Sequence, residues 1–303
     1  MSILAGKNLR VRTRLGEPLL AGVNLKLPAG SITFLIGPSG AGKSLTLRSL
    51  AGLLPPTLSF GGKVIYKGRD LTSLRPGKRR RLLGKEIGLV LQEPGLALDP
   101  VVPVGELVGE ALRYHYGLSR REAVTSAQAA LAQEGLRPAE ELGRRFAHAL
   151  SGGMRQRVLL AQVFSLAPEV LLLDEAAGAL DLLRRADLAW RVSREVRERG
   201  VSVLWVSHDL RLVRAVGGRA ILLARGRVIE SGPAKALLDA PLHPFSRWFL
   251  GRGGSLGEGA GRDWKGCPWR EGCPRRVERC REDPPLAGAG RGREVLCWNP
   301  LPA

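Results

Sequence analysis

The chain has 303 residues, room for one large domain or two modest ones at roughly 150 residues each, and its 44% hydrophobic content is enough for a packed core, so disorder is not expected. Against 28 Asp and Glu stand 47 Lys and Arg, nine of them Lys, a net charge of +19 that predicts attraction to an anionic partner such as nucleic acid, an anionic membrane face or a phosphorylated ligand. The longest apolar runs, 170–173 and 220–224, fall far short of the ~18–20 residues needed to span a bilayer, and residues 1–14, with Lys7, Arg10, Arg12 and Arg14, lack the apolar centre of a signal peptide; the chain is expected to stay in the cytoplasm and to cross no membrane by itself.

Residues 31–36 (SITFLI) are apolar and β-branched, which predicts a buried strand. It runs directly into GPSGAGKS, residues 37–44, and then into Leu45, Leu47, Leu50 and Leu53 at helical spacing. Strand, glycine loop and helix form the context that a phosphate-binding loop needs. A second buried strand is expected at 87–91, ending at Gln92. From Glu106 to Leu150 the pattern becomes helical and alanine-rich, with Leu107, Ala111 and Leu112 on one stripe and Ala123, Ala127, Ala130 and Leu131 on another. Strands return at 170–173 and 201–206, separated by a helix over about 182–199, the alternation of an open parallel sheet with helical crossovers. Residues 219–224 and 227–230 flank Arg225-Gly226 at hairpin spacing. Beyond Leu250 comes a Gly- and Arg-rich linker, GRGGSLGEGAGR, and then a small unit holding all four cysteines, Cys267, Cys273, Cys280 and Cys297.

Gly37, Pro38, Ser39, Gly40, Ala41, Gly42, Lys43 and Ser44 supply what a polyphosphate requires: backbone that can approach closely, amides at a helix start, a cation and a hydroxyl for Mg²⁺. Val170 to Leu173 leads into Asp174-Glu175, two carboxylates at the end of a buried strand. Such an Asp can hold Mg²⁺ through its water shell, and such a Glu can orient or deprotonate an attacking water. A strand-terminal acidic pair is otherwise often a helix cap; beside a phosphate loop it reads as the second half of an ATP site.

At Leu150-Ser151-Gly152-Gly153-Met154-Arg155-Gln156-Arg157 the sequence resembles the signature motif of the ATP-binding cassette family. Its other landmarks follow in the family's order: Gln92 after a strand, Ala179-Leu180-Asp181 after the acidic pair, and His208 within Val206-Ser207-His208-Asp209. The resemblance covers about residues 1–250. It implies an α/β fold, a P-loop, RecA-like ABC ATPase core with an α-helical subdomain at about 93–150, followed by a linker and Cys-containing extension over 251–303. It also implies roles: Lys43 and the loop amides on the phosphates of ATP, Ser44, Gln92 and Asp174 on Mg²⁺, Glu175 as catalytic base with Gln92 and His208 reporting on metal, nucleophile and γ-phosphate. Ser151, Gly152 and Gly153 would face the ATP of a second cassette, and Asp181 is a further nucleotide-binding position. Two positions depart from the family: Thr13 stands where an adenine-stacking aromatic is expected, and Ala176 stands where Pro usually follows the acidic pair.

His243-Pro244-Phe245-Ser246 and the stretch GCPWREGCPRRVERCREDPPL resemble the C-terminal extension of the peptide and nickel importers of this family. That resemblance implies a second ABC ATPase subunit, commonly a different chain in this branch, two transmembrane permease subunits, contact through the complex with an extracytoplasmic substrate-binding protein, and a position at the cytoplasmic face of the membrane, the region near Glu93 to Glu106 gripping the permeases. Four thiols could hold a [4Fe-4S] cluster or zinc, or stay unligated, with Trp264, Trp269 and Trp298 nearby for apolar packing. With aromatics at 5% and no stacking platform, nucleic acid is not an expected partner. The rival readings are a soluble cassette ATPase acting on nucleic acid or ribosomes, and the ATPase of an exporter.

Overall fold

The computed structural model describes residues 2–91, 97–176, 180–252 and 265–302, with Leu182 described by its backbone alone. Strands and helices follow in the order β1 (Ser2–Arg12), β2 (Pro18–Pro28), β3 (Ile32–Ile36), α1 (Lys43–Ala51), β4 (Ser59–Tyr66), β5 (Arg69–Asp70), α2 (Pro76–Leu82), β6 (Ile87–Val90) and α3 (Val104–Tyr116). There follow α4 (Arg120–Gln133), α5 (Ala139–Gly143), α6 (Gly152–Ser165), β7 (Val170–Asp174), α7 (Leu182–Arg199), β8 (Ser202–Val206), α8 (Leu210–Val216), β9 (Arg219–Ala224) and β10 (Arg227–Pro233). The chain ends with α9 (Ala234–Asp239), α10 (Pro244–Phe249), β11 (Leu286–Gly288) and β12 (Glu294–Leu296). It divides into two units, one of Met1–Leu4, Leu27–Ser31 and Val64–Val206, the other of Ala5–Lys26, Ile32–Lys63 and Ser207–Ala303.

In the first unit β6, β7 and β8 run parallel, with Ile87 opposite Val170 and Val170 opposite Ser202. Every residue of β7 and β8 is buried, as expected of parallel strands covered on both faces. The stretch expected to be helical, Glu106 to Leu150, holds most of α3 and all of α4 and α5, and these share with α6 beyond it a core that gathers Val104, Val108, Leu112, Ala127, Leu131 and Val158. The alanine stripe explains part of that packing: Ala123, Ala127 and Ala130 are all buried, and small side chains let helices approach closely. Gly105 shows the same economy, since a Cβ there would come within 3.0 Å of the Gly143 carbonyl oxygen. Helix α4 opens on a capping box: Ser119 Oγ accepts from the Glu122 N–H, and the Glu122 carboxylate accepts from the Ser119 N–H at 2.9 Å.

In the second unit β3 pairs parallel with β9, and β9 pairs antiparallel with β10. The two-residue connection is Arg225-Gly226 with φ of 48° and 64°, the doubly positive backbone of a type I′ turn, which matches the twist of a hairpin. Most of β1, β2 and β4 also belong here, side by side in the order β2-β1-β4, a sheet that the sequence patterning did not announce. Beyond β10 the sheet continues through β12 and β11, both antiparallel. The Cys-containing stretch, set apart by its composition as a separate unit, is thus joined to the ATPase sheet by strand pairing, Glu230 opposite Val295 and Ser231 opposite Glu294. No helix among the described residues is long and apolar enough to cross a membrane.

Candidate functional site

The residues singled out by sequence divide between the two units, residues 37–44 and His208 in the second, Ser151–Gly153, Asp174, Glu175 and Asp181 in the first. Gln92, Glu93 and Ala179, with Ala177, Gly178 and Trp264, lie outside the described residues.

The glycine loop leaves β3 through Gly37 at φ 146°, where a Cβ would stand 2.0 Å from the Leu223 carbonyl oxygen. Only glycine fits such a close backbone approach. Gly40 and Gly42 also have positive φ, 72° and 97°, and Gly42 is the N-cap of α1, where no side chain caps the free amides. The loop is braced from behind: the Gly226 N–H donates to the Ala41 carbonyl at 3.0 Å, the Ala21 N–H donates to the Gly226 carbonyl at 2.9 Å, and Leu20 packs against Gly42. Lys43 is buried, and its Nζ donates to the carbonyls of Gly37 (2.9 Å) and Pro38 (2.8 Å), holding the ammonium inside the curl of the loop. Nothing lies within 4 Å of a Cβ on Gly40, so the mouth of this cradle is open. Backbone amides, a helix N-terminus and an enclosed ammonium together fit a polyphosphate. His208 follows Ser207, whose N–H donates to the Leu35 carbonyl at 3.3 Å and whose Oγ accepts from the Asp209 N–H at 3.1 Å. This turn sets exposed His208 beside the strand that feeds the loop.

In the first unit Asp174 is the last residue of β7, fully buried opposite Val206 of β8. A carboxylate desolvated this far needs a cation or donors around it, which suits a residue that would hold Mg²⁺. Glu175 has φ 49°, a left-handed conformation uncommon for a side chain of this size, and its N–H donates to the Val206 carbonyl at 3.1 Å. Backbone strain of this kind collects at reactive positions. Ser151 caps α6 by accepting from the Met154 N–H at 3.3 Å, and Gly152 adjoins open space. The Asp181 carboxylate accepts from the Arg184 N–H at 2.9 Å and caps α7.

The cysteines form a second grouping. Cys267 and Cys280 are buried, and the Cys267 N–H donates to the Cys280 carbonyl at 2.9 Å. Burial, and then the neighbouring thiols Cys267, Cys273 and Cys280, push the Cys297 thiol up to about 11, against an opposing hydrogen bond from the Asn299 backbone. Burial also raises Cys267 and Cys273. Four thiols thus sit within electrostatic reach of one another. As placed, the described residues hold no group of three or more His, Cys, Asp or Glu side chains in metal-holding geometry. Trp269 supplies the apolar packing expected of it, its ring 4.3 Å from that of Phe245 and 5.7 Å from His243. Trp298 instead lies under the Arg279 guanidinium at 3.9 Å.

Sequence reasoning missed a buried clasp: Glu230, fully buried, accepts from the backbone N–H groups of Leu242 and His243 and from Arg293 at 2.6 Å. It also missed a group of arginines around Arg157, Arg184 and Arg191. Both join residues remote in sequence, so no local spacing could reveal them.

Comparison with known proteins gives the family. The ABC transporter family matches residues 20–178. Among curated proteins, the oligopeptide transport ATP-binding protein OppD of Salmonella typhimurium is 32% identical over 92% of this chain and 87% of its own length. The dipeptide transport ATP-binding protein DppD of Bacillus subtilis is 32% identical over 98% of this chain and 94% of its own. Among solved structures, the dimeric post-hydrolysis state of the ATP-binding cassette MJ0796 bound to ADP and Pi superimposes with a TM-score of 0.69 at 28% identity, covering 76% of this chain and 98% of that one.

Proposed function

We propose that this chain, which belongs to the ABC transporter family and hydrolyses ATP as a P-loop cassette of that family, is the energising subunit of a peptide importer. The observation that carries the reading is the likeness to DppD over 98% of this chain, a span that has to include most of the residues beyond 250. The likeness therefore extends past the cassette into the extension that sets the importer branch apart. The exporter and nucleic-acid readings have no such observation behind them.

In this reading Lys43 turns from the Gly37 and Pro38 carbonyls to the β- and γ-phosphate oxygens of ATP, and the amides from Gly40 to Ser44 close around them. Glu175 takes the proton of the attacking water, and His208 contacts the γ-phosphate. Ser44 and Asp174 would supply the hydroxyl and carboxylate donors suited to Mg²⁺, Gln92 being the further ligand that the family pattern assigns, and the bound ion would supply charge neutralisation at the phosphate oxygens. Ser151, Gly152 and Gly153 address the ATP of a partner cassette, with Asp181 a further nucleotide-binding position, so the site takes two ATPase subunits; the likeness to peptide importers adds two permease subunits at the cytoplasmic face of the membrane and an extracytoplasmic binding protein. Cargo is a di- or oligopeptide, nickel being the alternative within the same branch. The four thiols match a [4Fe-4S] cluster in donor type and number; anaerobically purified protein with visible charge-transfer absorption that Cys273→Ser abolishes would support it, and colourless, zinc-free protein would reject any metal there.

The functional reading is tested in cells lacking this chain. Uptake of labelled peptides should fall to background, return with the wild-type chain and stay absent with Glu175→Gln, although the purified variant still binds MgATP. Peptide uptake that persists without the chain sinks the import reading, and unchanged turnover in Glu175→Gln sinks the assignment of the base.

A further inference from the structure

The first unit carries its charge unevenly. From Arg75 to Lys85 the chain reads RPGKRRRLLGK, six cations and no carboxylate. Arg75 is the N-cap of α2, and Lys78 and Arg81 lie at i,i+3 spacing on one side of the helix. Arg75, Lys78, Arg80, Arg81 and Lys85 are exposed and enter no ion pair among the described residues, while Arg79 is half-buried with the Asp70 carboxylate acting on it. Elsewhere many exposed arginines have a carboxylate beside them: Arg144 meets Glu140 at 2.6 Å, Arg194 meets Glu198 at 3.8 Å and Arg214 meets Asp239 at 2.7 Å. The carboxylate that follows the run, Glu86, is already shared with Lys67 at 3.7 Å, as is Glu169 at 2.6 Å.

The run joins a second element. Gly84, at φ 92°, sets its turn against the last turn of α3, where a Cβ on it would stand 2.6 Å from His115 Nε2. Lys85 Nζ lies 5.5 Å from the centre of the Tyr116 ring, and the Tyr116 hydroxyl donates to the Leu166 carbonyl at 2.5 Å, which fixes this end of α3. Tyr114 and Tyr116 flank His115 and are both exposed. Burial, and then the Lys85 charge, lower the His115 pKa, so the imidazole is neutral at pH 7 and the charge here is that of the run. Helix α3 brings one exposed carboxylate, Glu110, a turn before Tyr114, and one exposed cation, Arg113, three residues from it. The positive surplus on α2 is left uncancelled.

We propose that the surface made by α2, the turn at Gly84–Lys85 and the end of α3 docks on the anionic lipid headgroups of the membrane. Unpaired cations on long side chains, spread along a short helix, suit an extended anionic face that offers many headgroups at once. Tyrosine rings beside them suit the headgroup level, where an apolar body and a polar tip are both accommodated. The choice of lipid rests on the reading that puts this chain at the cytoplasmic face of the membrane. Contact through α2 would then add to the grip of the permeases and hold this unit against the bilayer.

The test is co-sedimentation of the full chain with phosphatidylcholine vesicles containing about 30% phosphatidylglycerol, at about 0.1 M salt. Two triple variants are compared. One combines Lys78→Gln, Arg80→Gln and Arg81→Gln; the other combines Lys7→Gln, Lys26→Gln and Lys63→Gln, exposed lysines of β1, β2 and β4 that also enter no ion pair among the described residues. Both remove the same charge. The α2 triple should weaken vesicle binding by about tenfold or more and the other by less than about threefold, with melting temperature and MgATP affinity unchanged in both. Equal losses would assign the binding to net charge and overturn the proposal, as would a wild-type chain that stays in solution. A single-stranded oligonucleotide of about 20 nucleotides that binds the wild type more tightly than the vesicles do, and is lost with the α2 triple, would give the surface to nucleic acid and overturn it too. The import reading fails or stands separately on peptide uptake: a chain that restores uptake yet ignores anionic vesicles refutes this surface alone.

Discussion

His243 shows how far one residue's surroundings can move its chemistry. It is 2% exposed, its Nδ1 accepts from the Phe245 N–H at 2.9 Å, and it hydrogen-bonds the Leu296 backbone. Burial drives its pKa down to about 3, against the Leu296 hydrogen bond, which favours the protonated form. The ring is therefore neutral in the folded protein, whereas in the unfolded chain it titrates near ~6.5. Above that value neither state binds the proton and the group leaves stability independent of pH. Below it the unfolded chain gains a proton that the folded one refuses, so stability falls as pH drops from ~6.5 towards 3, by up to ~1.4 kcal/mol per pH unit. Urea unfolding at several pH values in this window should give a shallower acid dependence for His243→Asn than for the wild type. Identical slopes would show that the ring charges without cost in the folded state. The sequence made this residue a motif position, His243-Pro244, and gave no hint of burial, because the aromatic cover comes from Trp269 in another segment.

At the scale of elements, the pairing of β12 with β10 is held by a buried ion pair and a side-chain hydrogen bond. Arg293 Nη2 donates to Glu230 at 2.6 Å and to the Ala240 carbonyl at 2.6 Å, and Ser231 Oγ bonds the Glu294 carboxylate at 2.9 Å. Removing Arg293 strands a fully buried carboxylate, a loss on the order of 3–5 kcal/mol for an uncompensated charge. Arg293→Ala should therefore lower the melting temperature and expose 265–302 to protease, whereas Glu230→Gln with Arg293→Leu, which removes both charges, should recover much of the loss. Equal damage from the single and double variants would mean that packing rather than charge holds β12 in place. The contrast with β3 is instructive. Residues 31–36 advertise a buried strand because they are mostly apolar, Ile32, Phe34, Leu35 and Ile36 with the β-branched Thr33 among them, and the glycine loop and α1 follow within a few positions. A Glu in the middle of β10 reads as an exposed position, and its partner lies 63 residues away. Local pattern reveals elements whose reason for burial is their own composition; it is silent where a charged residue is buried by something distant. The same limit applies to β1 and β2, where Lys7, Arg10 and Lys26 interrupt the apolar pattern and only pairing makes strands of them.

For the molecule as a whole, the net charge of +19 decides what the chain does before any specific docking. Exposed Arg and Lys interact with an anionic surface through solvent, where the screening length is ~10 Å at 0.1 M salt and ~3 Å at 1 M. Attraction of this kind is strong in dilute salt and nearly gone in concentrated salt. Docking on permease subunits would bury apolar surface as well, and salt screens that contribution very little. The described surface offers such groups in Val101 at 77% and Phe146 at 37% exposure, Phe146 being bridged to Pro103, two residues beyond Val101. The two modes of membrane attachment therefore separate by ionic strength. The purified chain should sediment with vesicles rich in anionic lipid at about 0.05 M salt and leave them at about 0.5 M, with no retention on neutral vesicles at either. In native membranes that contain its permeases it should remain bound at the higher salt. Release from native membranes at the salt that clears pure lipid would make the charge alone responsible for localisation, and it would remove the permeases from the list of partners.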